Sequence, residues 1–410
     1  SRRGLLFAGT EGSVYVSFDD GDHWQPLQLN LPHTSMRDLT IHGDDLIVGT
    51  HGRSFWILDD ITPLRQLTAQ LATADVFLFR PETAWRFRWN RNTDTPLPPE
   101  EPAGKNPPDG AIIDYFLKNA AAGPVTLEIV DAQGHTVRRY ASTDAPLDMA
   151  AVEKENPIPM YWVRQPQILS AAAGMHRFVW DLHGTPPDSS SHGYPISAIL
   201  HDTPREPHGA RALPGRYTVK LTADGKTETQ PLTLNMDPRI KAAPEELAEQ
   251  FAVEADAVEG MNASAAALRD VRALRAQLKD RAEKAAKGPV SDAIAALDKK
   301  LGDLEGARQQ GFFGPPPAAN EKENFGMLGQ RFAALLRTAD SADAAPTSQA
   351  MALHRELQSA LQSLRAEWKQ IEARDLPALN DILQKAGLAT VSAKRAPESG
   401  KQTEPNEEED

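Results

Sequence analysis

The sequence predicts a multidomain chain of β and α parts, with short repeated β units first, an all-β region next and helices last. Three observations predict it. A stretch near the N-terminus recurs 40 residues later. Between residues 111 and 237, apolar and polar residues alternate in short runs closed by Gly, Asp and Pro, the period of half-buried strands. From Pro244 onward apolar residues recur every three to four positions, the period of amphipathic helices.

Composition bounds the answer. The 410 residues suffice for two or three domains. Hydrophobic residues make up 40%, and no apolar run reaches membrane-spanning length, so no membrane span is expected. A net charge of −13 argues against a nucleic-acid groove. Cysteine is absent, which excludes disulfides and thiolate zinc sites. The chain opens on Ser1-Arg2-Arg3-Gly4, with neither Met nor a signal peptide, and its first strand is expected to start inside a repeat. The expectation is a C-terminal piece of a longer protein, with any export signal upstream.

The first repeat carries the most specific motif. Ser17-Phe18-Asp19-Asp20-Gly21-Asp22-His23-Trp24 reads S-x-D-x-G-x-x-W and follows the alternating run Val14-Tyr15-Val16. A strand, an acidic turn and a returning strand make a hairpin. Asp19 can accept bonds from backbone N–H groups of its own turn. Gly21 permits a positive φ. Trp24 offers a large apolar plate for packing one sheet on the next. Aligned at the 40-residue offset, Gly9 and Gly49, Thr10 and Thr50, Gly12 and Gly52, Asp19 and Asp59, and Asp20 and Asp60 coincide. That period is the one of β-propeller blades. Strands are expected at 5–10, 14–18 and 23–27, and again at 36–42, 46–50 and 54–58. In the second copy Ile61-Thr62-Pro63 replaces the Gly and the Trp, which marks a last blade. Residues 1–67 are therefore read as the last one and a half blades.

This motif resembles the Asp-box of bacterial neuraminidase repeats, shared by sortilin-type and xyloglucanase-type β-propellers. It departs at His23, where Thr is common, and at Asp20, where Gly is common. The resemblance implies a structural Asp-box made of Ser17, Asp19, Gly21 and Trp24. It also implies a ligand face opposite the Asp-box turns, which puts the turn Thr50-His51-Gly52-Arg53 there. His51 and Arg53 are then the candidate ligand-facing residues; alternatively Gly52 shapes the turn, and both side chains are solvated or bind neighbouring loops.

Residues 68–110 read as a Pro-rich linker. Residues 111–237 read as a β-sandwich, with strands at 111–117, 125–130, 135–140, 174–181, 214–221 and 227–235. Gly174-Met175-His176-Arg177-Phe178-Val179-Trp180-Asp181 together with Leu213-Pro214-Gly215-Arg216-Tyr217-Thr218-Val219 resembles the immunoglobulin-like module of flagellar-hook capping proteins and its fibronectin-type relatives. Such modules are scaffolds or binders. Residues 240–388 read as an antiparallel helical bundle. One stripe runs Leu247, Phe251, Val258, Met261, Leu268, Val271 and Leu278; another runs Leu353, Leu357, Leu361, Leu364, Trp368 and Ile371. Asn320 with Glu323 reads as a capping box before Phe325. Residues 389–410 are expected to form a disordered acidic tail: five of the last eight residues are acidic.

Chemistry-bearing patterns are sparse. The carboxylates of Asp19/Asp20, Asp44/Asp45 and Asp59/Asp60 are adjacent, and strand neighbours point to opposite faces, which makes a poor acid–base couple for glycoside hydrolysis. No catalytic residue is named. His176, His183, His192, His201 and His208 fall within 33 residues, but no H-x-H or H-E-x-x-H spacing occurs. They read as loop histidines, and neither a metal nor another cofactor is expected. From blade to helices, the chain resembles the C-terminal half of large bacterial proteins with neuraminidase or sortilin-like repeats. That resemblance implies an extracytoplasmic, secreted or periplasmic protein. It implies a non-catalytic binding or scaffold region, with carbohydrate or a protein or peptide as partner. The alternative is part of a sialidase-like or xyloglucanase-like glycoside hydrolase whose catalytic residues lie in upstream blades.

Overall fold

The computed structural model describes residues 2–68, 71, 73–88, 98, 100–101, 104–155, 158–189, 192–195, 201–306 and 322–393. The chain divides into two compact units, one of residues 1–185 and 193–247, the other of residues 186–192 and 248–410. Mixed β-sheets and several helices make up the fold.

The first unit begins with two three-stranded antiparallel sheets. In the first, β1 (Leu6–Gly9), β2 (Val14–Ser17) and β3 (Gln25–Pro26) lie side by side; in the second, β4 (Met36–His42), β5 (Asp45–Thr50) and β6 (Phe55–Leu58) do the same. Val14 shares a small apolar core with Met36, Leu46, Val48 and Ile61. A short helix, α1 (Thr62–Gln66), follows.

Two further sheets enclose the main core of this unit. One runs in the order β12–β9–β7: β7 (Val76–Leu78), β9 (Ala111–Leu117) and β12 (Gly174–Trp180). The other runs in the order β11–β10–β13–β14–β8: β8 (Ala84–Arg86), β10 (Thr126–Val130), β11 (Thr136–Ala141), β13 (Gly215–Ala223) and β14 (Lys226–Met236). A short helix, α2 (Met149–Glu155), lies in the long connection after β11. Inward residues of both sheets meet in one core containing Ile113, Leu127, Trp180, Val219 and Leu234. The stretch expected as a plain linker at 68–110 thus contains two strands. Each has three residues, too few to display a period, and each is held by pairing with a distant strand, β7 with β9 and β8 in parallel with β14. Arg86 of β8 is fully buried and donates to the Ala212 carbonyl at 2.8 Å, the hydrogen bond that a buried guanidinium requires.

The second unit is helical. Helix α3 (Pro244–Lys284) begins just before its boundary; α4 (Pro289–Glu305), α5 (Phe325–Ala339) and α6 (Ser348–Gln370) follow. A π-helical turn (Ile371–Asp375) then leads into α7 (Leu376–Lys385), which carries Pro377 in its first turn. The two stripes converge: Val271, Leu278, Leu357, Leu361, Leu364 and Trp368 share one core, with Leu301 of α4 and Phe332 of α5. The N-cap of α5 is Asn324, whose side chain accepts from Met327 N at 2.9 Å, and Glu323 pairs with Arg331. Asn320, expected to open this helix, lies outside the described residues, as does most of the expected tail. Of residues 389–393, Val391 and Ala393 are buried, and Val391 N donates to Asn380 Oδ1 at 2.8 Å. No helix among the described residues is long and apolar enough to cross a membrane.

Candidate functional site

The turn from Ser17 to Trp24 is closed by its own side chains. Asp19 Oδ1 accepts from Ser17 Oγ at 2.8 Å and from His23 N at 2.9 Å; His23 Nδ1 donates to Asp19 Oδ2 at 2.7 Å. Ser17 Oγ also accepts from Gly21 N at 2.9 Å. Asp20 and Gly21 both have positive φ, 61° and 100°, which lets the backbone curl around the carboxylate. These donors, those of His23 first, hold the Asp19 carboxyl down at about 2. Asp19 is thus a turn former, and both its oxygens are occupied. Trp24 does not sit between sheets. It is 42% exposed and lies over its own turn, with Cζ2 3.6 Å from where a Cβ on Gly21 would stand. Trp24 still belongs to the turn, since the returning strand begins only at Gln25.

The Gly-Thr turns use one device twice. Thr10 Oγ1 donates to the Ser13 carbonyl at 2.9 Å, and Thr50 Oγ1 to the Ser54 carbonyl at 2.6 Å. Pairing differs, however: Gly9 faces Val14, whereas Gly49 faces Phe55. The second loop has one more residue, so Val14 and Val16 correspond to Phe55 and Ile57, not to Ser54 and Trp56 as direct alignment has it. His51 and Arg53 are both exposed on this longer loop. Arg37 Nε donates to His51 Nδ1 at 3.3 Å, and the Arg53 carbonyl accepts from Trp56 Nε1 at 2.8 Å. One side chain is therefore engaged by a neighbouring strand, and the other residue anchors Trp56 through its backbone.

The second acidic pair has a different use. Arg177, on β12, grips Asp114 on β9 with Nε and Nη2, both at 3.0 Å. The same guanidinium donates to the carbonyls of Asp59 at 2.7 Å and Asp60 at 3.0 Å. Asp60 has a φ of 53°, its N–H donates to Asp45 Oδ1 at 3.0 Å, and its own Oδ1 accepts from Thr62 N at 2.8 Å. Arg177 therefore ties the end of the second repeat to the β12–β9–β7 sheet. Glu82 stands in the same electrostatic field. Burial first, then the charges of Asp60 and Asp45, push its carboxyl up to about 7, with Arg177 opposing. Burial also raises Asp59 and Asp60. Glu82 is thus the carboxyl at this junction able to exchange a proton near neutrality, and its type and position gave the sequence reading no sign of it.

Of the five clustered histidines, the fold brings two together. His183 and His208 stack with ring centroids 4.6 Å apart. With Asp181 they offer three donor atoms within 4.8 Å of one another, the set able to hold a metal ion among the described residues. His176 turns away and bonds the Ala172 carbonyl at 2.7 Å. The local clue was Asp181-Leu182-His183-Gly184 with a second His-Gly at 208–209, a pattern whose halves only the fold joins. Compared with protein-family models, with curated proteins and with solved structures, the chain matches none.

Proposed function

We propose that this chain belongs to an exported bacterial Asp-box propeller protein and supplies a non-catalytic binding or scaffold region: terminal blades, a β-sandwich and a helical bundle. The observation that supports this most is the use made of the acidic turns. Asp19 closes its own hairpin, and Asp59 and Asp60 hold Arg177 through their carbonyls. The Asp19 carboxylate is committed to its own turn and the Asp60 carboxylate to Thr62 N, the uses of architecture, and the candidate ligand turn at His51 and Arg53 presents no carboxylate of its own. The reading is tested by incubating the chain with sialosides and β-glucans, and by probing glycan and protein arrays. The expected result is no turnover, with any retained ligand weakened by His51→Ala combined with Arg53→Ala.

Glu82 favours a second reading, a glycoside hydrolase completed by further blades. A carboxyl raised to about 7 suits a general acid. Turnover that disappears in Glu82→Gln, with the fold retained, would establish the hydrolase and overturn the scaffold reading.

A further inference from the structure

We propose that Asp181, His183 and His208 bind one divalent transition-metal ion of the zinc class. The backbone prepares the donors. Leu182 has a φ of 59°, which folds the Asp181–His183 segment back on itself. His183 N donates to Asp181 Oδ1 at 3.2 Å, orienting that carboxylate from below. His183 Nδ1 lies 2.7 Å from the Asp181 carbonyl oxygen. A carbonyl can only accept, so the proton sits on Nδ1 and the lone pair sits on Nε2, inside the fold. That is the orientation by which a backbone carbonyl fixes a metal-ligating imidazole.

His208 is delivered by a close backbone crossing. Gly184 N donates to the Ala210 carbonyl at 2.9 Å. A Cβ on Gly209 would stand 2.4 Å from the carbonyl carbon and oxygen of Gly184, so only glycine permits the approach. Each of the two crossing segments carries a histidine immediately before its glycine, and the rings stack with their planes 28° apart. The donor set is two imidazoles and one carboxylate, with no thiolate in the chain. Such a set suits zinc and its first-row neighbours and leaves a coordination position for water. The ion would clip the segment that follows β12, in the three-stranded sheet, to the segment that precedes β13, in the five-stranded sheet. It would close the core around Trp180, whose Nε1 donates to the His183 carbonyl at 2.9 Å.

The test uses the whole chain, free of any affinity tag and stripped with chelator, titrated with Zn2+ by calorimetry and with Co2+ by visible absorption. The expected result is one saturable equivalent, visible d–d bands from Co2+, and a rise in melting temperature with Zn2+. Asp181→Asn and His208→Gln, checked for fold by circular dichroism, should each weaken binding at least about tenfold, while His176→Gln leaves it unchanged. Should His208→Gln fail to fold, Asp181→Asn decides alone, since it removes one ligand and keeps the shape. No saturable binding, or binding unaffected by Asp181→Asn, overturns the site.

Discussion

The two three-stranded repeats share a Gly-Thr turn and an Asp-Asp pair, yet their surroundings differ in two ways. Val14 and Val16 of the first are 0% and 4% exposed, whereas Phe55 and Ile57, their counterparts in the second, are 77% and 56% exposed. The first repeat is covered by the second: a Cβ on Gly9 would stand 3.0 Å from Met36 Cβ, while a Cβ on Gly49 would meet Asp38 at 3.5 Å and Phe55 at 3.7 Å, both of its own repeat. The acidic pairs diverge as well. Asp19 is satisfied within its own turn, and Asp59 and Asp60 are held from another sheet by Arg177. A sequence repeat thus specifies a local shape, and what covers that shape is set by the neighbours.

Charging the two equivalent positions should break the comparison most sharply. Val14→Asp places an unpaired carboxylate in a sealed core and should cost roughly 4 kcal/mol or unfold this unit. Phe55→Asp should stay within about 0.5 kcal/mol, because the site already faces solvent. Urea unfolding of both variants checks this; equal losses would mean that the Phe55 face is covered in solution.

Arg177→Gln tests the second divergence. It leaves Asp114 buried without its cation and frees two carbonyls, which should cost about 3 kcal/mol, below a fully buried pair because the guanidinium is partly solvated. Limited proteolysis between residues 59 and 67 should quicken at the same time. A variant of unchanged stability would remove Arg177 from the junction.

Glu82 gives the pH test. Its folded carboxyl titrates at about 7, above its unfolded value of 4.5, so the folded state binds the extra proton between those limits. Its contribution is therefore fully present below pH 4.5 and is lost as pH rises through 7. Glu82→Gln should flatten that decline and raise stability at pH 8 by on the order of 1–2 kcal/mol, allowing for solvent screening. A wild-type profile flat from pH 5 to 8 refutes the shift. Asp19 has the opposite sign and the smallest effect. Its carboxyl is depressed from 3.8 to about 2, so its contribution is present above pH 3.8 and is lost as pH falls through about 2. Asp19→Asn should leave stability at pH 7 little changed and weaken the acid dependence of the first hairpin, read by amide exchange at Gly21 and His23.

Most of the regular structure was legible in the sequence because its signals are local. The short apolar-rich runs at 111–117 and 174–180 became β9 and β12, and the stripe from Leu353 to Trp368 became the inward side of α6. Residues that face one core must recur at the period of the element that carries them, so the pattern is written into the sequence itself. The Ser17–Asp19–Gly21 turn was equally readable, since all its bonds lie within seven residues.

What escaped depends on partners far away in sequence. Strands β7 and β8 exist only through pairing with β9 and β14. The face that Phe55 presents turns on one loop residue, to which a period-2 pattern is indifferent until a neighbouring sheet covers one side. Arg177 reaches back 117 residues to Asp60. His183 and His208 meet because Gly184 and Gly209 let two connecting segments touch. The sequence by itself determined the elements, the acidic hairpin and the helical stripes, because these rest on bonds and periods within a few residues. The tertiary structure alone decided the junction at Arg177, the proton affinity of Glu82 and the His183–His208 stack, because burial and long-range proximity are properties of the packed chain and of no segment within it.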